Sequence, residues 1–445
     1  MKKSVYTNTI LYKTQSNTAV IKNRISLESS LPRSRYTLDL LELGLNAAKP
    51  ENFVPLYLGD VSGKRVHIIA YGKAAYSMAQ IASKHVIVAG GIVVMPRGRV
   101  LQSLPRLEIR YAAHPIPDRS SAFAARAILR YLQQLSSTER VLFLVSGGGS
   151  SLLSMPAPPL SQNDASDTTR ILLASGAKIS TINCVRRHIS QVAGGRLVSS
   201  MRCNGDALIM SDVQGNHMQD ISSGCTVLDD TSYDDALDHI WRLRIQTQIP
   251  KSVIKHLISG SEGLVLQGPT NTRVKNHIIA TSADCARVIA RNARLQGLHT
   301  QTVKIFGNVC TESENIVRRT NSKKDSCIVF HGEPTVNVVG RGRGGRNQEL
   351  VLRLYALYKK ARVRCMIASV GTDGIDGNTK YAGAIADTAR SCNTKEMMHL
   401  LKENNSAAFF TKHGGHVLTG QTGTNLADVG FVIVRKTWQA QPLQD

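Results

Sequence analysis

The stretch GRGRGGRNQE, Gly340 to Glu349, interleaves Arg341, Arg343 and Arg346 with glycines just ahead of a helix-patterned segment. The chemistry of such a loop is anion binding. Glycines let backbone amides approach a bound group, and guanidinium forks donate in pairs to phosphate or carboxylate. A helix opening near Asn347 adds free amides at the same end. An ordinary basic turn before a capped helix has the same composition. Two more glycine-rich turns follow strand-like runs. SGGGSS, Ser146 to Ser151, comes directly after Val141 to Val145 and reads as strand, anion-binding turn and helix. It has no Lys-Ser or Lys-Thr to close a P-loop, no G-x-G-x-x-G spacing and no G-x-S-x-G elbow. GTDGIDG, Gly371 to Gly377, follows Met366 to Val370 and puts Asp373 and Asp376 in one loop. Carboxylates there can meet Mg²⁺ or hydrogen-bond hydroxyls, although Asp-Gly is also a common turn.

These turns need strands and helices to hold them. Arg65 to Ala70 reads as a strand, followed by Gly72-Lys73 and a small-residue helix through Ile81. Lys73 then lies beside exposed amides, where the helix dipole disfavours a cation unless an anion sits between them. Asp212, in SDVQGN, comes at the carboxyl end of a strand, the edge at which open α/β sheets bind ligands. His114, in the proline turn HPIPDRSS, is a ligand-binding candidate, whereas His188 is expected to be structural or solvent-facing. Further strands are expected at Gly91 to Val94, Leu107 to Tyr111 and Ala207 to Met210. Helices are expected at Ser121 to Leu135 and Ala174 to Ala193, and the amphipathic stretch Asn183 to Leu197 should stop at Gly194-Gly195. This alternation predicts an α/β fold with a largely parallel sheet and a second alternating block. The polar stretch 311–325 is the expected boundary between them.

At 445 residues, two domains are the default. No apolar run is long enough to span a membrane. Eight cysteines are dispersed without a C-x-x-C pair, which argues against a zinc ribbon or disulfide scaffold and for a reducing compartment. The formal charge of +23 suits anionic partners. With 5% aromatic residues and no basic stripe, nucleic acid is not the expected partner. Residues 1–37 form a basic extension with Lys2, Lys3, Lys13, Lys22, Arg24, Arg33 and Arg35 against Glu28 alone. That composition fits a mitochondrial transit peptide or a disordered tail, so the expected location is cytoplasmic or mitochondrial.

Several motifs occur together in one order: Gly72-Lys73-Ala74, SGGGSS, N-x-V-R-R-H-x-S from Asn183, SDVQG, GEPTV from Gly332, GRGGRNQE, GTDGIDG, Ala382-Gly383-Ala384 and TGQTGTN from Thr419. In this the chain resembles the class II glycerate kinases, the glycerate 2-kinases with a C-terminal MOFRL domain. The resemblance implies a Rossmann-like α/β sandwich over 38–310 with a mostly parallel sheet. A linker follows at 311–325, then a smaller α/β MOFRL domain at 326–435, with the active site in the cleft. It implies transfer of the γ-phosphoryl group of ATP to the 2-hydroxyl of D-glycerate with Mg²⁺, a small-molecule partner and no membrane, with homo-oligomerisation left open. Lys73 and Arg346 match the active-site lysine and arginine. Ser146, Gly147, Gly148, Gly149, Ser150, Arg341, Arg343, Asn347 and Glu333 are implied substrate or ATP contacts, and Asp212, Asp373 and Asp376 metal or hydroxyl contacts. Where the family has Lys, Asp and two prolines, this chain has Ala193, Asn216, Cys225 and Gln421. The competing readings are a weakened or re-targeted kinase for another 2-hydroxy acid, and a non-catalytic anion or RNA binder.

Overall fold

The computed structural model describes residues 20–98, 102–265 and 267–439. Its first half is one parallel sheet built from β1 (Arg65–Tyr71), β2 (Ile87–Pro96), β3 (Leu107–Ala112), β4 (Arg140–Ser146), β5 (Asn204–Met210) and β6 (Val274–Ala280). The strand order is β3-β2-β1-β4-β5-β6, every pair parallel. The central strands β1 and β4 are buried along almost their whole length, as expected for strands covered on both faces.

The second sheet runs β11-β10-β9-β12-β8-β7. Its strands are β7 (His299–Lys304), β8 (Ser326–Gly332), β9 (Cys365–Gly371), β10 (Gly383–Asp387), β11 (His416–Val417) and β12 (Asp428–Val434). Only β7 and β8 pair in parallel. The last strand, β12, inserts antiparallel between β8 and β9, so the alternation seen in the sequence does not continue as a parallel sheet here.

The expected boundaries differ from this arrangement. Strand β7 lies ahead of the stretch 311–325 yet belongs to the second sheet, and helix Val309–Arg319 occupies much of the presumed linker. That helix buries Val309, Ser313 and Ile316 beneath a polar outer face, so its composition reads as a linker although it is packed. The basic extension also ends sooner than expected. Residues 1–19 lie outside the described residues, but Ile21, Leu27 and Leu31 are core residues. Arg24 pairs with Glu28, Asp39 and Glu42, and Arg33 pairs with Asp387. The charges that suggested a leader are in part structural ion pairs. The predicted helix 174–193 is shorter, Ile179–His188; the helix before it, Gln162–Ala174, ends where the prediction begins, and Gly176, whose φ is 71°, lies between the two. The second ends at His188, ahead of the glycine pair expected to stop it.

Helices Arg35–Ala47 and Ser282–Leu295 connect the halves. They pack on each other and against strands of the second sheet, within a core that takes in Val66 and Ile68 of β1 as well as Val329, Ala368 and Phe431 of the other sheet. Leu38, Leu40 and Leu41 in the first of these helices are fully buried. Each such side chain contributes about 1.5–3 kcal/mol. The two sheets therefore meet through a shared apolar core, and the polar ends of their strands meet beside it.

Candidate active site

In the parallel sheet the chain winds outward from β1 through β2 to β3, then returns to the other side of β1 as β4. Ligands of open α/β sheets bind outside the carboxyl ends of the strands at such a reversal. Here those ends carry Lys73, just after β1, and SGGGSS, which begins on the last residue of β4. The Lys73 amide donates to the Gly147 carbonyl at 2.9 Å, and the Ala74 amide to Ser146 Oγ at 3.0 Å, so the two turns form one unit. The Gly149 amide donates to Ser222 Oγ at 3.1 Å, and that hydroxyl donates to the Ser146 carbonyl at 2.7 Å. Ser223 Oγ donates to Ser150 Oγ at 2.7 Å. Ser222 and Ser223 both have positive φ, 50° and 58°, a costly conformation for serine that the packed turn holds in place.

Asp212 arrives from the end of β5. A Cβ on Gly147 would lie 1.5 Å from Asp212 Oδ2, so glycine is required for the turn to sit against this carboxylate. Asn425 Nδ2 donates to the same oxygen at 2.8 Å. Burial pushes the Asp212 carboxyl up, against the pull of Lys73.

The second sheet faces this edge with Glu333 after β8, Asp373 after β9, Asp428 opening β12 and Arg346 opening helix Arg346–Lys360. Lys73 Nζ meets Asp373 Oδ2 at 2.7 Å, an ion pair between the two halves. Burial alone would lower the Lys73 ammonium, but Asp373, Asp212 and Glu333 together outweigh it and the group lies above its ordinary value. Arg346 holds Asp428 with a two-pronged fork, Nε to Oδ2 at 2.5 Å and Nη2 to Oδ1 at 3.0 Å, and reaches Glu333 Oε1 with Nη1 at 2.7 Å. These carboxylates outweigh burial and keep Arg346 well above its ordinary range. Burial, with Asp212 and Asp428 adding to it against the opposing pull of Arg346, pushes Glu333 up to about 7. Burial and the Lys73 charge lower His114 to about 4, so its ring beside Gly148 is neutral at neutral pH.

Asp376 has a different task from the metal or hydroxyl contact expected of it. Its Oδ1 accepts from the Asn347 amide at 3.0 Å and Asn347 Nδ2 at 3.2 Å, and its Oδ2 from the Gln348 amide at 2.9 Å and Gln348 Nε2 at 3.0 Å. It caps the helix that carries Arg346. Asn347, expected to contact ligand, is buried and also accepts from Ser369 Oγ at 2.6 Å, so it anchors this cap.

The arginine-glycine loop is likewise closed on itself. The Gly340 amide donates to Asn404 Oδ1 at 3.0 Å, Gly342 to the Glu403 carbonyl at 2.9 Å, Arg343 to Asn405 Oδ1 at 3.1 Å and Gly344 to Asn378 Oδ1 at 3.0 Å. A Cβ on Gly342 would lie 2.5 Å from Asn405 Cα, so this glycine serves backbone packing. Arg341 and Arg343 are exposed, and of the three arginines only Arg346 reaches the acidic side chains of the cleft.

Between the halves lies a cleft of about 780 Å³ lined by Asp212, Gln214, Glu333 and Arg346, with Phe306 and Val336 among its apolar walls. That volume suits a nucleotide-sized ligand. Among the described residues no group of three or more His, Cys, Asp or Glu is placed to hold a metal ion by itself. Mg²⁺ needs no such cage, because one or two carboxylates with phosphate and water suffice. Asp212 fits that requirement, while Asp373 is paired with Lys73.

Comparison with known proteins agrees with this arrangement. Residues 36–258 match a domain of unknown function, DUF4147, and residues 326–428 match the MOFRL family. A glycerate 2-kinase of Pyrococcus horikoshii is 35% identical over 88% of this chain and 92% of its own length. The chain belongs to the glycerate 2-kinase family. A D-glycerate 2-kinase of Thermotoga maritima is 32% identical over 90% of this chain and 98% of its own. The crystal structure of a glycerate kinase from Thermotoga maritima superposes with a TM-score of 0.78 at 30% identity, over 92% of this chain and 100% of its own. The protein is thus an enzyme, a kinase that phosphorylates glycerate.

Of the residues expected in the site of this kinase, the structure brings together Lys73, SGGGSS, Asp212, Glu333, Arg346 and Asp373. Sequence reasoning missed Asp428, Asn425 and the Ser222-Ser223 pair. Only Asn425 lay in a recognised motif, TGQTGTN, and nothing in the chain signals that Asp428 is Arg346's partner. The departures from the family pattern are accommodated locally. Asn216 is exposed at φ 53°, and its Oδ1 accepts from Ser211 Oγ at 2.7 Å, a conformation asparagine tolerates. Cys225 is buried, with Sγ 3.2 Å from the Ser222 carbonyl. Gln421 is exposed. No lysine stands at Ala193, and the nearby Arg196 is turned onto the backbone, donating to the Arg187 and Ala193 carbonyls at 3.2 and 3.3 Å. Among the described residues no helix is long and apolar enough to cross a membrane.

Proposed function

We propose that this kinase transfers the γ-phosphoryl group of ATP to the 2-hydroxyl of D-glycerate, giving 2-phosphoglycerate. The observation that carries this reading is the approach of Lys73 and Arg346, from opposite halves, to the Asp212 carboxylate beside a cleft that Asp212, Glu333 and Arg346 line. Phosphoryl transfer depends mainly on positioning and on neutralising charge spread over the transferring oxygens. Lys73, held in place by Asp373, is assigned to the transferring group. Arg346, fixed by Asp428, is assigned to the nucleotide phosphates. Mg²⁺ bound with the triphosphate would neutralise charge, with Asp212 as its protein ligand. The Gly147–Ser150 turn keeps side chains away from Lys73 and Asp212 and is assigned to ligand oxygens through its amides other than that of Gly149, which Ser222 holds. We assign Glu333 to tuning Arg346, and Asp376 and Asn347 to holding the helix that presents it.

The test is ³¹P NMR of the product formed from D-glycerate and MgATP. A phosphate on carbon 2 is expected, with no turnover when Mg²⁺ is chelated. A phosphate on carbon 3, or turnover without a divalent ion, overturns the corresponding assignment.

A further inference from the structure

Arg186 sits in the last turn of helix Ile179–His188, next to Arg187. The two arginines have opposite surroundings. Arg187 is buried against Asp229, with Nε at 2.9 Å from Oδ1, and lies 3.5 Å from Asp220. Arg186 has no ion-pair partner among the described residues. Its one hydrogen bond there is a long one, Nη2 to the Ser150 carbonyl at 3.4 Å. Burial lowers its guanidinium from the ordinary value, and no carboxylate acts to raise it. Lys73 and Arg346, the other cations of the site, both have carboxylate partners.

Arg186 lines a cavity of about 150 Å³. Its walls include the hydroxyl-bearing residues Ser150, Ser154, Thr169, Ser190 and Ser223 and contain no acidic residue. A helix end favours a cation, but a water-facing one satisfies that preference equally well. A partly buried guanidinium left without a counter-ion is costly, and an anionic ligand removes that cost. The cavity is well below the ~300 Å³ at which drug-sized ligands begin to fit, so a nucleotide is excluded and a small acid is not. One wall is the SGGGSS turn itself. Ser150 faces this cavity, while Gly148 abuts the Lys73 side chain and Gly147 abuts Asp212.

We infer that this cavity is the subsite for the carboxylate of the acceptor acid, and that Arg186 is its specificity-determining residue. Arg186 binds the carboxylate through its fork, the wall hydroxyls hydrogen-bond the remaining oxygens, and the other face of the same turn presents Lys73 to the phosphoryl group. The inference rests on the phosphorylation of a small hydroxy acid proposed above. It also makes the enzyme selective for acids over neutral polyols, because an uncharged analogue leaves the guanidinium unneutralised.

The test uses the full chain and the variants Arg186→Gln and Arg186→Lys. In steady-state assays Arg186→Gln should raise KM for D-glycerate by about 10–100-fold, in keeping with a charged hydrogen-bond pair. KM for ATP should stay within about threefold. Arg186→Lys keeps the charge without the fork and should fall between, which also guards against a misfolded glutamine variant. The wild type should prefer D-glycerate to glyceramide, and Arg186→Gln should lose most of that preference. Calorimetric titration with D-glycerate alone separates this inference from the kinase reading. Binding that disappears in Arg186→Gln supports the subsite even if 2-phosphoglycerate is never formed. A rise in KM for ATP instead, unchanged D-glycerate binding in both variants, or retained discrimination against glyceramide overturns it.

Discussion

The two glycine-rich turns that flank the cleft resemble each other in composition and differ in how their backbones are used. SGGGSS closes around the start of a four-residue helix and presses Gly147 against Asp212 and Gly148 against Lys73, so its backbone abuts the side chains proposed for catalysis. In the arginine-glycine loop, the amides of Gly340, Gly342, Arg343 and Gly344 are all spent on Asn404, Glu403, Asn405 and Asn378. That loop is a brace whose product is the position of one side chain, Arg346. Glycine content signals close backbone approach in both. What is approached, charged side chains in one case and the turns around Asn378 and Asn404 in the other, depends on which groups lie opposite.

The contrast is broken most severely at the cations. Lys73→Ala should cost about 10²–10³ in kcat, since it removes a donor aimed at developing charge. Steady-state rates at saturating ATP and glycerate check this, and a loss below tenfold removes Lys73 from the transferring group. Alanine in each glycine turn then sharpens the comparison. Gly147→Ala displaces the Asp212 carboxylate and should lower kcat/KM by about 10²-fold. Gly342→Ala collides with Asn405 and the Glu403 carbonyl and should instead cost about 1–3 kcal/mol in denaturant unfolding, with kcat nearly unchanged. The opposite pattern would mean that the brace and the wall have been interchanged.

Glu333 gives a pH signature. Its folded value is raised from 4.5 to about 7, so between those values the folded protein holds a proton that the unfolded chain has lost. This group's contribution to stability is therefore present below about pH 4.5 and is lost as pH rises through 7. Thermal melts across that window should show a smaller decline for Glu333→Gln than for the wild type. The smallest effect is expected at Arg341 and Arg343. Both are exposed, and their replacement by alanine should change kcat/KM by no more than about threefold. A larger loss in nucleotide affinity would show that the loop's outer arginines reach the ligand after all.

The chain by itself specified five of the six strands of the parallel sheet, because short apolar runs report local structure directly; β6, in which Lys275, Asn276 and His277 interrupt the apolar run, was not legible. It also specified that Lys73, Asp212 and SGGGSS stand at strand ends, which is where such sheets place their sites. From residue type and spacing Arg346 was one of three arginines in a loop, and only the family resemblance singled it out. Tertiary structure selected it: Asp428, 82 residues further along, arrives on a strand inserted antiparallel between two earlier ones and orients its fork. Asp376 and Asp373 sit three residues apart in the same motif, yet one caps a helix and the other pairs with a lysine in the opposite half. Residue type and spacing determine what a side chain can bind. Its partner is set by long-range packing, which brings together groups whose separation along the chain carries no signal of their contact.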